Sequence, residues 1–166
     1  MQTRIDYSTH NPRRLPVSSP AFGANGIIPI QFTADGDNVP PSIAWGPVPE
    51  GTRSIAVLVE DPDAPERIFV HYVVVGIPPT ARGLERDLPD GAVVGTNSYG
   101  RRQWDGPNPP NGRHRYVFRV FALDNMPDKP GMTKEDLMSA VKGHTLAQGE
   151  LIGTYDRDER RTRRKS

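Results

Sequence analysis

Three largely apolar runs constrain this chain more than any other feature. "SIAVLVE" covers residues 54–60, "FVHYVVV" covers 69–75, and "HRYVFRVFAL" covers 114–123. Each is short and rich in β-branched and aromatic residues, so each predicts a strand, the first a central one. The stretches around them are full of turn formers. The chain has 16 Gly and 18 Pro in 166 residues, which points to many short elements and shaped loops. A length of 166 residues suffices for one domain with a real core.

Charge and cysteine content narrow the function classes. Formal net charge is +1, so no global field draws the chain to nucleic acid or to a membrane surface. There is no cysteine, which excludes a disulfide framework and thiolate chemistry and suits a reducing cytoplasm. The opening "MQTRIDYSTHNPRRLP" lacks the apolar core of a signal peptide. No stretch reaches the roughly 18 apolar residues of a membrane span. A cytoplasmic protein without a transmembrane segment is expected.

Along the chain, residues 1–20 read as an extended arm, 21–157 as a single domain and 158–166 as a charged tail. Residues 76–113 form a long Gly-, Pro-, Asn- and Arg-rich region, and a loop of that length is either functional or contains short strands. "TKEDLMSAVKG" predicts a helix, with Thr133 and Asp136 close to a capping box and Gly143 at the stop. A second, shorter helix is expected through "LAQGELIG", weakened by Gly149. Strands first and helices last predict a mainly β fold, as α+β or a β-sandwich with small peripheral α-helices near the C-terminus.

Two of the strands carry a histidine. Period-two alternation puts Phe69, His71, Val73 and Val75 on one face, and His114, Tyr116, Phe118 and Val120 on another. If the two strands are neighbours, His71 and His114 meet at one end. The rim there comes from "DPDAP" (61–65) and "WDGPNPPNGRH" (104–114). Such an end suits an anion, because imidazole, the Tyr116 hydroxyl and the backbone N–H groups of Gly106 and Gly112 can all donate. Asp61 and Asp63 repel a bare phosphate. They make sense either as partners that orient His71 or as the seat of an ammonium on the same ligand, as in phosphoethanolamine.

Plainer readings stand beside this one. A strand histidine is commonly a satisfied core residue, and Asp-Pro runs are ordinary turns. Asp61, Asp63, His71 and His114 are legitimate metal ligands, but their spacing does not support a metal site. Ser98 lacks a nucleophile elbow. His10 and His144 have no comparable surroundings. The basic stretch from Arg157 to Lys165 is interleaved with acids and reads as a solvated end rather than a nucleic-acid arm.

"DPDAP" followed by "VHYVVVGIP", then "DGPNPPNGRHRYVFRVFALD", then "GHTLAQGELIGTY", resembles the phosphatidylethanolamine-binding protein family, in its bacterial Raf-kinase-inhibitor-like branch. The likeness runs from about residue 20 to 157. It implies a β-sandwich with Greek-key-like sheets, a pocket at one end for phosphate-like anions and phospholipid head groups, and no cofactor. Carried over position by position, the pocket uses Asp61, Asp63, Pro65, His71, Gly106, Pro107, His114 and Tyr116. Phe69 stands where animal relatives place a Trp lining the pocket. Asn108 stands where the bacterial branch usually has cysteine, Tyr72 where Trp is common, and Trp104 where Tyr is usual. The helix that overlies the pocket in animal members is not recognisable, so an open pocket and a homodimer are expected. The family also implies cis peptide geometry near the Asp-Pro turn.

The leading functional reading is therefore a non-enzymatic, anion-binding protein with a regulatory role. Its ligand would be a phosphorylated small molecule, a phospholipid head group or a phosphorylated side chain on a partner. Competing with it are an inhibitor of a kinase or protease that acts by protein–protein contact, and a hydrolase with His71 or His114 as general base.

Overall fold

The computed structural model of the chain describes residues 12–157. The tail expected over 158–166 and residues 1–11 of the expected arm lie outside them. The described strands are β1 (Arg13–Arg14), β2 (Val17–Ser18), β3 (Gly26–Ile27), β4 (Ile43–Trp45), β5 (Ser54–Asp61), β6 (Phe69–Ile77), β7 (Gly83–Leu84), β8 (Val93–Val94), β9 (Arg113–Leu123) and β10 (Thr145–Asp156). One helix, α1 (Lys134–Val141), and a 3-10 turn at Ile30–Phe32 complete them. A seven-stranded sheet runs in the order β1-β10-β9-β5-β6-β8, with β3 also paired to β10, and a three-stranded sheet runs β2-β4-β7. β1 and β3 lie parallel to β10, so the large sheet is mixed.

The three apolar runs become β5, β6 and β9, and β5 is buried along its whole length. Apolar side chains on both faces explain why these runs do not alternate. On one face Val57, Val59, Val74 and Phe118 pack with Ile43, Trp45 and Leu84 of the small sheet. On the other, Leu58, Val73, Phe121 and Leu123 pack with Leu137 and Val141 of α1. Fully burying one such side chain is worth about 1.5–3 kcal/mol, so the two cores together clamp the sheet. α1 starts on the expected box: Thr133 Oγ1 accepts from the Asp136 N–H at 3.1 Å, and Asp136 Oδ2 accepts from the Thr133 N–H at 3.0 Å. Gly143 follows in the left-handed conformation, φ 78°.

The second expected helix is not formed. "LAQGELIG" is the middle of β10, which needs an extended backbone to bridge β9 and β1. Gly149 serves close approach there, since a Cβ would meet the Leu15 carbonyl oxygen at 1.7 Å. The described part of the expected arm contributes β1 and β2 to the two sheets. The long region 76–113 contains β7 and β8. All described peptide bonds are trans. Among the described residues no helix is long and apolar enough to cross a membrane.

Candidate functional site

An irregularity in β6 places the first histidine. Val59 pairs with Tyr72 and Glu60 with Val70, so His71 is the extra residue of a β-bulge. The bulge resets the alternation. Tyr72 and Val74 turn to the small-sheet side, and Val73 and Val75 to the α1 side. The shared face expected for Phe69, His71, Val73 and Val75 is thus split. Phe69 and His71 stay together, with ring centroids 4.9 Å apart. The histidine strands are not neighbours either, because β5 lies between β6 and β9. Tyr116 closes the gap: its ring is 5.3 Å from that of His71 and 6.4 Å from that of His114.

His71 is 4% exposed and is clasped at two points to residue 105. Its Nδ1 lies 2.5 Å from the Asp105 carbonyl oxygen, and the Asp105 N–H donates to the His71 carbonyl at 3.2 Å. A carbonyl only accepts, so Nδ1 carries the proton and Nε2 is left for other partners. Burial pushes the His71 pKa below its ordinary value, although the Asp105 carbonyl pulls the other way. The ring is therefore neutral at neutral pH. Residue 105 is itself pinned. Its buried carboxylate accepts from Asn97 Nδ2 at 2.7 Å, from Gln103 Nε2 at 3.1 Å, and from Arg101 Nε and Nη2 at 3.0 and 3.1 Å.

His114, 8% exposed, is held by a side chain instead. Its Nδ1 lies 2.6 Å from Asp61 Oδ2, while Asp61 Oδ1 accepts the Asp63 N–H at 2.7 Å. Asp61 thus orients His114, not His71 as expected. Asp63 is engaged elsewhere. Its carboxylate accepts from the Arg115 N–H at 2.9 Å, Nε at 3.0 Å and Nη2 at 2.8 Å. That bonding holds the Asp63 carboxyl below the usual carboxylate range. The Asp-Pro-Asp turn and the His-Arg pair are laced together residue by residue.

Tyr116 is 1% exposed, and its buried hydroxyl has no hydrogen-bond partner among the described residues. Burial, assisted by the charge of Asp61, raises its pKa far above the ordinary value, so it stays an O–H donor. An orphaned buried donor between two imidazoles is what a ligand oxygen satisfies. The second loop contributes less directly than expected. The Gly106 N–H donates to Asn38 Oδ1 at 2.8 Å and is not available to an anion. Gly106 is required for packing, because a Cβ would meet the Phe32 carbonyl at 2.3 Å. The Pro107 carbonyl accepts from the Ala34 N–H at 2.9 Å. Pro65 is exposed on its turn.

The remaining polar candidates are structural. Ser98 accepts the Val70 N–H on its hydroxyl at 2.8 Å and so fastens β6 beside the bulge. His144 faces Asp124 at 2.7 Å on the surface, and His10 lies outside the described residues. No cluster of three metal-ligating side chains forms among the described residues. On the α1 side, a surface groove lined by Leu58, Phe121 and Met138 also holds Glu60, paired with Arg119 at 2.9 Å and Lys134 at 2.7 Å. It contains no histidine.

Residues 18–156 match the phosphatidylethanolamine-binding protein family. The chain belongs to that family. A UPF0098 protein of Methanothermobacter thermautotrophicus is 44% identical over 144 residues, which cover 82% of this chain and 95% of the relative. Another from Aquifex aeolicus is 40% identical over 153 residues, covering 87% and 90%. Among solved structures, a phosphatidylethanolamine-binding protein homolog from Chlamydia trachomatis superposes with TM-score 0.82 at 33% identity, covering 87% of this chain and 99% of that one. E. coli YbcL, described as a new member of the mammalian family, gives 0.79 at 31% identity, covering 86% and 98%.

The family signatures in this chain locate the imidazoles but not what holds them. Asp105 works through its main chain, which side-chain patterns do not reveal. Asn97, Arg101 and Asn38 sit in loops with no periodicity. Arg157 belongs to the site's surroundings too, through Asp35 and Asn108. The one readable signal for it is its position directly after the last strand.

Proposed function

We propose that this family member is a non-enzymatic binding protein whose site takes a phosphate monoester. The observation that carries the reading is the buried, unpartnered Tyr116 hydroxyl between two imidazoles whose Nδ1 atoms are both engaged. The Tyr116 O–H and the two Nε2 atoms are then the groups left for a ligand among the described residues. Because Nδ1 of neutral His71 holds the proton, its Nε2 donates only after gaining one from the ligand or from solvent. Anion affinity therefore rises as pH falls through the His71 titration, which lies below the ordinary 6.5.

Asp61 and Asp63 are both committed, so the ammonium of phosphoethanolamine has no carboxylate waiting for it. A free phosphate, a phosphoethanolamine-type head group released from its lipid and a phosphorylated side chain of a kinase or protease partner share the dianionic phosphate that binds. A cytoplasmic location, expected from the absence of cysteine, and a homodimer, implied by the family resemblance, belong to the same reading.

Calorimetric titration with inorganic phosphate, O-phosphoethanolamine and O-phosphoserine tests it. All three should bind within about threefold of one another, and His71→Ala and His114→Ala should each weaken binding about tenfold or more. Absence of binding by all three overturns the anion site. A strong preference for phosphoethanolamine overturns the phosphate-only recognition.

A further inference from the structure

An anion site needs positive charge, and the residues so far placed in this one supply little. Burial keeps His71 neutral, Asp61 is an acid, and the Arg115 guanidinium pairs with Asp63 at 55% exposure, where water screens its charge. The last strand brings another cation. In the ladder with β9, Tyr155 lies opposite His114 and Asp156 opposite Arg113. Arg157 follows directly, at the same end of the sheet.

Its side chain is fixed by two other segments of the rim. Arg157 Nε donates to both carboxylate oxygens of Asp35, at 3.1 and 3.0 Å, and Nη2 donates to Asn108 Oδ1. Asp35 also accepts from the Tyr155 hydroxyl at 2.8 Å, and Asn108 stands between Pro107 and Pro109 in the second signature loop. A guanidinium has five N–H donors in a rigid fork. Asp35 and Asn108 take Nε and Nη2, and among the described residues no hydrogen bond engages Nη1. The side chain is 19% exposed, so it is reachable yet partly desolvated. It lies close enough for its charge to act on the Tyr116 hydroxyl.

We propose that Arg157 is the fixed cation of the anion site and makes it select dianionic phosphate monoesters over monoanionic phosphodiesters. Asp35 and Asn108 are its positioning residues. The inference rests on the phosphate-binding reading above and adds which residue sets charge preference. Two negative charges gain more than one from a guanidinium that is held in place and cannot lose its proton. No neutral-pH change in the histidines removes that contribution.

The test is calorimetric titration of the full chain with methyl phosphate and dimethyl phosphate near pH 7.5, for the wild type, Arg157→Gln and Arg157→Lys. The wild type should prefer the monoester by about tenfold or more. Arg157→Gln should weaken monoester binding about tenfold and bring the ratio of the two ligands close to one. Arg157→Lys keeps the charge but not the fork, so it should keep the preference with a few-fold loss of affinity. A purely structural role would weaken both ligands alike and leave their ratio unchanged, which overturns the inference while the anion site stands. If the wild type binds neither ligand, the anion site itself falls, and this inference with it. If Arg157→Gln fails to fold, the lysine variant decides: loss of the monoester preference despite the retained charge overturns the proposal.

Discussion

The two histidines of the site are alike in sequence and unlike in how they are held. His71 gives its Nδ1 proton to a main-chain carbonyl inside a two-point clasp, and His114 gives its own to the Asp61 carboxylate. A main-chain anchor survives any side-chain substitution that leaves the backbone in place. A side-chain anchor vanishes with one codon. The cost differs too: a carbonyl satisfies a ring without placing a full charge beside it, so burial dominates at His71 and keeps that ring neutral. One site thus contains a rigid neutral imidazole and a second whose orientation depends on a buried acid.

Asp61→Ala should give the largest effect. It strands the His114 Nδ1 proton in a buried position and releases the Asp63 amide that forms the turn. An unsatisfied buried donor costs about 1–3 kcal/mol, so urea denaturation should show a loss toward the upper end of that range, together with loss of phosphate binding. Asp105→Asn is the matched control, because the backbone clasp on His71 remains and phosphate binding should persist. If the Asp61 variant keeps binding and the Asp105 variant loses it, the contrast between the two anchors is wrong.

The protonation of His71 sharpens the comparison at intermediate size. A group whose folded pKa is depressed contributes stability above its unfolded pKa and loses it as pH falls through the folded value. For His71 that stability is fully present above 6.5 and fades below it. One proton sets an upper bound of about 1.4 kcal/mol per pH unit. Denaturation midpoints taken from about pH 7 down to about pH 5 should fall more steeply for wild type than for His71→Gln. Equal slopes would mean that the ring already carries its proton in the fold. Added phosphate should flatten the wild-type slope, because a bound anion stabilises the protonated ring.

How much of this was legible in the residues follows from their physics. The apolar runs at 54–60, 69–75 and 114–123 declare β5, β6 and β9, since nothing but a two-faced core accommodates them. The Thr133 cap and Gly143 declare α1. Part of β10 reads as a helix because Gly149, which admits the chain at Leu15 beside β1, looks in one dimension like a glycine that only weakens a helix. The histidines and Tyr116 were readable from strand period and loop chemistry. Their faces were not, because one inserted residue at the bulge inverts the alternation and leaves no mark in composition. Of the two roles open to Asp61, orienting His71 fails for a related reason: His71 is near in sequence, whereas His114 is near in space.

Asp63 offers the finest comparison, since it sits two residues from Asp61 and differs in every physical respect. Asp61 is 6% exposed at its side chain and holds a buried ring; Asp63 is 30% exposed and its partner Arg115 is 55% exposed. Water and salt screen such a pair strongly. Arg115 holds the Asp63 carboxyl below its ordinary 3.8, so any stability it confers is present above that value and disappears as pH falls below it. At neutral pH, Asp63→Asn should therefore move the denaturation midpoint within experimental scatter at physiological salt, with a small loss emerging only as ionic strength is lowered. Its effect on phosphate should have the opposite sign to that of Asp61→Ala. Removing the carboxylate frees the Arg115 guanidinium and takes one negative charge from the rim, so affinity should rise a few-fold in low salt and return toward wild type as salt is added. A fall in affinity instead would place Asp63 among the residues that hold the site together, and the division of the turn into one structural and one peripheral acid would fail.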